Sequence, residues 1–397
     1  MQGQVGSRYV EVMASNRTSA RSGYQGRNRL VITMCAAVGA ATCLLFSRGF
    51  VESAAMVSAG LGLGSAGTLL QSTPHAGTIE DATLPGTAGA QRKMRETAAS
   101  KGFDMKATPA DVLVLMEEAK AEFADQQPDG DIQSKTYLAR DATHRFSKEL
   151  FVRNTTQTQQ DRDLSKDLAA PLDLQIDKTK PAVLIYHTHT TEGFEILERP
   201  WYARDWVSRT ENGARSIVRV GEAIAGMLER AGFQVIHETR IFDRQYTGAY
   251  DKSRTAILRI LEENPSIQVT LDVHRDAIHG EKGVRARPIA NIDGKNAAQV
   301  MIITGVNEGN IKDFPNWEQN LAFATKLQAG AEAFAPGLMR PLFFCARRYN
   351  MNVTPFSLLL EMGADVNTLE EALYSGRLIG AALADLLEEY VVGIENG

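Results

Sequence analysis

The chain has 397 residues, enough for two domains, and its 44% hydrophobic content is ordinary for a globular protein outside the first quarter. A net charge of −5 argues against a general polyanion-binding role. Three cysteines, Cys35, Cys43 and Cys345, are too few for a cysteine zinc site, and Cys345 has no partner within the region that contains it.

Residues 1–29 are polar and basic, with Arg8, Arg17, Arg21, Arg27 and Arg29. Leu30 to Phe46 carries no charge, so residues 30–47 are predicted as a transmembrane anchor, at the short end of the about 17–25 residues a bilayer requires. The basic segment before it favours a cytoplasmic N-terminus. The expected localisation is therefore the cell membrane, single-pass, with the remainder of the chain outside the cytoplasm. A cleaved signal peptide with a small-residue site at Val57-Ser58-Ala59 is the rival reading, and a buried soluble helix is the third. Residues 48–105 are rich in Gly, Ala, Ser and Thr without a sustained period and read as a flexible linker. Residues 106–178 read as a small accessory region. In it, Thr108-Pro109-Ala110-Asp111 opens a helix with Pro in the first turn, and Val112, Leu115, Met116 and Ala119 make a modest apolar stripe.

Residues 179–397 alternate short apolar runs with amphipathic stretches. Strands are predicted at 182–187, 233–237, 268–274, 300–306 and 357–361, and helices at 214–231, 251–263, 317–334 and 368–391. Asn367 is expected to cap the last helix, with Glu370 completing a capping box. This order predicts an α/β fold, a mostly parallel sheet flanked by helices.

Several apolar runs end in metal-binding or acid–base side chains. Val183 to Tyr186 stops at His187-Thr-His189-Thr-Thr-Glu192, Val269 to Val273 stops at His274, and Leu358 to Leu360 stops at Glu361 before Gly363. Strand ends are where open α/β sheets place their sites. His189 and Glu192, spaced His-x-x-Glu, can reach one ion, and His274 supplies the second imidazole; two His and one Glu with an open fourth position is a common catalytic zinc set. Glu361 is then placed as general base. His187 is an alternative ligand to His189 or a supporting contact behind the ligands, and the spacing favours His189. His237 is a weaker rival, and His237 and His279 are read as structural. Arg275 could pair with a substrate carboxylate, or equally with a group inside the protein. Trp201, Tyr202 and Trp206 could line a binding groove or pack in the core.

On these residues the chain resembles the stage II sporulation protein P family of membrane-anchored cell-wall hydrolases. The resemblance is carried by Leu184-Ile-Tyr-His-Thr-His-Thr-Thr-Glu192, Asp272-Val-His-Arg-Asp276 and Leu360-Glu-Met-Gly363, with Asn367-Thr-Leu-Glu-Glu-Ala372. Arg219-Val-Gly-Glu222, Gly248-Ala-Tyr250 with Ser253-Arg254, and Pro336-Gly-Leu338 lie between them in the family's order. Gly193 stands where a Ser is expected, and Ala364-Asp365-Val366 also departs from the pattern; neither removes a proposed ligand. The resemblance implies a fold similar to zinc N-acetylmuramoyl-L-alanine amidases and zinc carboxypeptidases. It further implies amide cleavage in peptidoglycan, with endopeptidase or glycan-processing activity as a further possibility, during septal thinning and engulfment. A septal or engulfment complex with a glycan-cleaving partner is the implied assembly. A zinc carboxypeptidase acting on stem peptides and a non-catalytic peptidoglycan-binding scaffold are the alternatives; no nucleic-acid partner is expected.

Overall fold

The structure is a computed structural model that describes residues 103–392. The anchor expected at 30–47, nearly all of the linker, Cys35 and Cys43 lie outside the described residues. Among those described, no helix is long and apolar enough to cross a membrane.

Helix α1 (Ala110–Glu122) comes first, with Pro109 at its cap rather than inside the first turn. Strands β1 (Pro128–Lys135), β2 (His144–Arg145) and β3 (Phe151–Asn154) and the short helix α2 (Leu164–Ala169) follow. The chain continues through β4 (Pro181–Tyr186), β5 (Trp201–Ala203), α3 (Ile217–Arg230), β6 (Gln234–His237), α4 (Ala249–Glu263) and β7 (Val269–Asp276). It ends with β8 (Arg285–Ile292), β9 (Lys295–Ala298), β10 (Val300–Gly305), α5 (Trp317–Phe334), β11 (Leu342–Cys345), β12 (Phe356–Ala364) and α6 (Leu369–Glu388).

The main sheet has the order β2-β3-β11-β10-β12-β7-β4-β6. Pairing is parallel along β12-β7-β4-β6 and along β10-β11-β3, and antiparallel only at β10-β12 and β2-β3. A second sheet, β5-β1-β8-β9, has no counterpart in the sequence expectations. Residues 106–178 are woven into the rest: β1 pairs with β8, and β3 pairs with β11.

Both faces of the central strands are covered, which explains their unbroken apolar runs. Val183, Ile185, Leu271, Val273, Leu358 and Leu360 share a buried core with α3, α5 and α6. On the opposite face Leu184 and Tyr186 pack on Ile257 of α4, while Met301, Ile303 and Leu359 pack on Phe314 and Met351. Helix α3 starts where the Ser216 hydroxyl accepts from the Val218 N–H, and it buries Ile217, Val220, Ile224 and Leu228 at three- and four-residue steps. Each such side chain contributes about 1.5–3 kcal/mol. The cap of α6 falls one residue later than expected. Thr368 caps, and Glu371 completes the box. Asn367 is instead held in the preceding turn, accepting from Ala364 N–H (2.8 Å) and donating to the Pro288 carbonyl and the Glu371 carboxylate.

The three parallel neighbours β12, β7 and β4 bring their carboxyl ends to one edge of the sheet. That edge carries the candidate site.

Candidate active site

After β4 the chain turns tightly through residues 187–192. The Glu192 N–H donates to the His189 carbonyl (3.0 Å), and the Thr190 hydroxyl donates to the His187 carbonyl (2.7 Å). The turn delivers His189 and Glu192 to the end of β7. The rings of His189 and His274 lie 5.3 Å apart, edge to face. Glu192 Oε2 stands 3.3 Å from His274 Nδ1 and accepts from the Arg275 backbone N–H (3.1 Å). On β12, Glu361 pairs in register with His274. The four residues expected to form the site are therefore brought together.

All three candidate ligands are buried, with 7%, 5% and 3% exposure for His189, Glu192 and His274. His274 sits between two carboxylates, its Nε2 lying 2.8 Å from Asp272 Oδ1. That N–H is not aligned on the oxygen, so the contact acts mainly through charge. Burial disfavours an imidazolium here, but Asp272 and Glu192 outweigh it and hold the ring's proton affinity well above the ordinary histidine value. Glu192 shows the reciprocal effect: burial opposes its charge, and His274, followed by Arg275 and His189, holds the carboxyl well below the usual range. Burial pushes Glu361 the other way, and Asp276 adds to it, so that its carboxyl rises to about 8. Its Oε2 is sealed from solvent and has no hydrogen-bond partner.

His187 lies on the far side of this arrangement. Its Nδ1 donates to the Val273 carbonyl (2.8 Å), and its Nε2 is 2.9 Å from His237 Nε2. Complete burial and the His237 neighbour lower its pKa to about 3. Both ring nitrogens are occupied, which leaves His189 as the imidazole that faces His274. Gly221 of α3 makes room for the imidazole pair: a Cβ there would come within 2.6 Å of His187 and 2.7 Å of His237. The Arg275 guanidinium is buried on backbone oxygens, with Nε donating to Gly193 O (3.0 Å) and Nη2 to Ser208 O (2.7 Å). This is the internal use weighed against substrate pairing, and it ties the loops flanking the turn to β7.

Sequence reasoning assigned no role to Asp272, Asp243 or Tyr246. Asp272 was open to detection, since residues two apart on a strand share a face and Asp272 therefore accompanies His274. Asp243 accepts from the Thr191 N–H (3.1 Å) and hydroxyl (2.7 Å) and from Arg209 (2.6 Å), and lies 3.7 Å from His189 Nδ1. Tyr246 stacks on His189 at 4.6 Å, and Tyr250 meets the same ring edge-on at 5.6 Å. Asp243 and Tyr246 come from the loop between β6 and α4, where no local pattern announces them, whereas Tyr250 lies in the first turn of α4 and belongs to the Gly248-Ala-Tyr250 motif. Tyr202 and Trp206 pack against Arg285, and Trp201 against Arg199, rather than beside the histidines.

Among the described residues no three His, Cys, Asp or Glu side chains converge as a finished ligand set. The donors fit a divalent cation in kind. His189 Nδ1 is buried without a hydrogen-bond partner. The 3.3 Å between His274 Nδ1 and Glu192 Oε2 matches the about 3.3–3.4 Å edge between ligands held about 2.0–2.1 Å from a tetrahedral ion. Two carboxylates on either side of a buried imidazole also favour positive charge there, as a cation would supply.

Fold and site together define a mixed α/β domain with a buried histidine–carboxylate centre at the strand ends. A family model described as Stage II sporulation protein P (SpoIIP) matches residues 95–384. The chain belongs to that family. It is 29% identical over 204 residues to Stage II sporulation protein P of Bacillus subtilis (strain 168), a match covering 48% of this chain and 47% of that protein. The chain thus spans about half the length of the curated relative it matches. Among solved structures it is similar to N-acetylmuramoyl-L-alanine amidase AmiC2 of Nostoc punctiforme, with TM-score 0.31, 13% identity and coverage of 54% of this chain and 97% of that one. The N-acetylmuramoyl-L-alanine amidase from Clostridium difficile 630 gives TM-score 0.27 and 14% identity, covering 55% and 99%. The apo amidase Ami1 from Mycobacterium abscessus gives 0.30 and 12%, covering 52% and 99%. At such scores the architecture rests on the strands and helices described above.

Proposed function

We propose that the protein is a zinc-dependent peptidoglycan hydrolase, an N-acetylmuramoyl-L-alanine amidase that works on the cell wall during sporulation septal thinning and engulfment. The observation that carries this reading is His274, held between Glu192 and Asp272 and 5.3 Å from His189, with Glu361 beside it in register. His189, Glu192 and His274 would hold the ion, which supplies Lewis acidity toward the amide carbonyl and lowers the pKa of water. Glu361 takes the proton from the attacking water and returns it to the leaving nitrogen. Burial raises the proton affinity of this carboxyl above that of an ordinary glutamate, which supports a role in accepting and returning a proton. Tyr246, exposed at the mouth of the site, offers a flat apolar face against which a sugar or peptide can lie. Anchoring through residues 30–47, with the site outside the cytoplasm and a glycan-cleaving partner nearby, belongs to the same proposal.

The test is product chemistry with the full chain on isolated peptidoglycan. An amidase releases intact stem peptides and leaves glycan with unsubstituted lactyl groups. Single amino acids would identify a carboxypeptidase, cross-bridge cleavage an added endopeptidase, and no products a scaffold. Glu361→Gln is expected to slow release by about 10²–10⁴-fold with zinc content unchanged; an undiminished rate removes Glu361 as the base.

A further inference from the structure

Asp272 and His274 stand two apart on β7 and project from the same face of the sheet. Asp272 is 1% exposed and is gripped from outside its own strand. The Thr188 N–H donates to Oδ1 (2.8 Å), and the Thr188 hydroxyl donates to Oδ2 (2.7 Å). Thr188 lies between His187 and His189 in the turn after β4, so one carboxylate joins the two strand ends that carry the proposed ligands. The grip has its own support. Thr188 Oγ1 lies 2.8 Å from Ser253 Oγ on α4, and Ser253 Oγ accepts from the Asn350 side-chain amide (3.0 Å). A fixed carboxylate 2.8 Å from one imidazole nitrogen holds the proton on that side of the ring by charge. Closing the N–H onto it when the other nitrogen takes a metal orients the ring and makes that other nitrogen a better donor. With Nε2 turned to Asp272, the nitrogen left facing Glu192 is Nδ1, at 3.3 Å.

We infer that Asp272, clamped by Thr188, is the positioning residue for His274, and that His274 therefore presents Nδ1 to the bound ion. The inference rests on the metal reading proposed above. Its mechanical content is separate: the turn that supplies His189 and Glu192 also indexes the third ligand, through Thr188.

The experiment has two arms on the full chain. The first measures zinc affinity by competition with a chromophoric chelator, alongside melting of the metal-free protein to show that each variant folds. Asp272→Asn is expected to weaken zinc binding by about 10–100-fold. Thr188→Val, which removes only the hydroxyl bond, is expected to weaken it by a smaller factor, and it serves alone if Asp272→Asn fails to fold. The second arm needs no variant: long-range nitrogen–proton correlation spectra of histidine-labelled, zinc-loaded protein report which ring nitrogen of His274 holds the metal. Metal on Nδ1 with a protonated Nε2 is expected. Metal on Nε2, or affinities within twofold of the unsubstituted protein in every folded variant, overturns the role of Asp272 while leaving the zinc site standing. No zinc uptake by the unsubstituted protein overturns the metal reading itself, and the inference falls with it.

Discussion

Glu332 on α5 accepts hydrogen bonds from the N–H groups of Gly337 (2.8 Å) and Met339 (3.0 Å), both of which favour its charged form. Burial outweighs them and pushes its carboxyl up to about 7 from an ordinary value of 4.5. The native state therefore keeps a proton that the unfolded chain has released. The stability this provides is complete below about pH 4.5 and is lost as pH rises through about 7. Glu332→Gln cannot titrate, so its stability relative to the unsubstituted protein should grow by up to about 3 kcal/mol between pH 4.5 and 7.5. Urea unfolding at a series of pH values checks this, and a constant difference would show that the group does not hold its proton. Single residues also show how legible the site is in sequence. His189, Glu192, His274 and Glu361 announce themselves because each interrupts or closes a run of apolar residues that only a buried strand explains. Arg275 misleads for the same reason. It stands beside a ligand, but carbonyls from two distant segments, Gly193 and Ser208, decide what its guanidinium touches. Asp243 meets His189 across 54 residues of chain, and no local pattern encodes that approach.

Helices α3 and α6 meet through glycines. A Cβ at Gly380 would come within 3.0 Å of the Ile224 carbonyl and the Met227 Cβ, and one at Gly376 within 3.1 Å of the Val220 carbonyl. Backbone cannot yield there as a flexible side chain can, so Gly380→Val should destabilise the protein by about 1–3 kcal/mol through overpacking. Gly226 on α3 is the contrast. Nothing lies within 4 Å of an added Cβ, so Gly226→Ala should stabilise by about 0.5–1 kcal/mol through helix propensity alone. Urea midpoints that move in the same direction for both would contradict the packing argument. The same division between local preference and tertiary contact governs which elements can be read from sequence. Strands β4, β7, β10 and β12 are legible because burial on both faces writes them as apolar runs. Strand β1, Pro-Asp-Gly-Asp-Ile-Gln-Ser-Lys, buries only Ile132 and is a strand because β5 and β8 pair with it. The β8-β9 hairpin carried a local signal in Asp293-Gly294, whose φ angles of 49° and 83° suit a two-residue hairpin turn. Its flanking segments lack the regular alternation that would have drawn attention to it.

Across the whole molecule, the proposed ion would tie the turn after β4 to the end of β7, two neighbouring parallel strands of the main sheet. Without metal, a protonated His274 ring is expected to fill that role, because Asp272 and Glu192 on either side of it favour the imidazolium. These two states make different demands on one side chain. In metal-free protein, His274→Ala leaves two buried carboxylates without the cation between them, a change that typically costs about 3–5 kcal/mol. Zinc at about 100 to 1,000 times its dissociation constant should add about 2.7–4.1 kcal/mol to the unsubstituted protein by mass action, and nothing to His274→Ala. Melting curves of both proteins, with chelator and with zinc, separate the contributions. A His274→Ala protein as stable as the parent under chelator would mean that the imidazolium does not hold the strand ends together. A zinc shift that survives in His274→Ala would place the ion elsewhere on the chain. If both expectations hold, one residue serves in turn as the buried cation that secures the empty sheet edge and as the ligand that gives up its proton when metal arrives. On that account the centre is stable before it is loaded because the two carboxylates that prepare His274 for a metal also favour its protonated form.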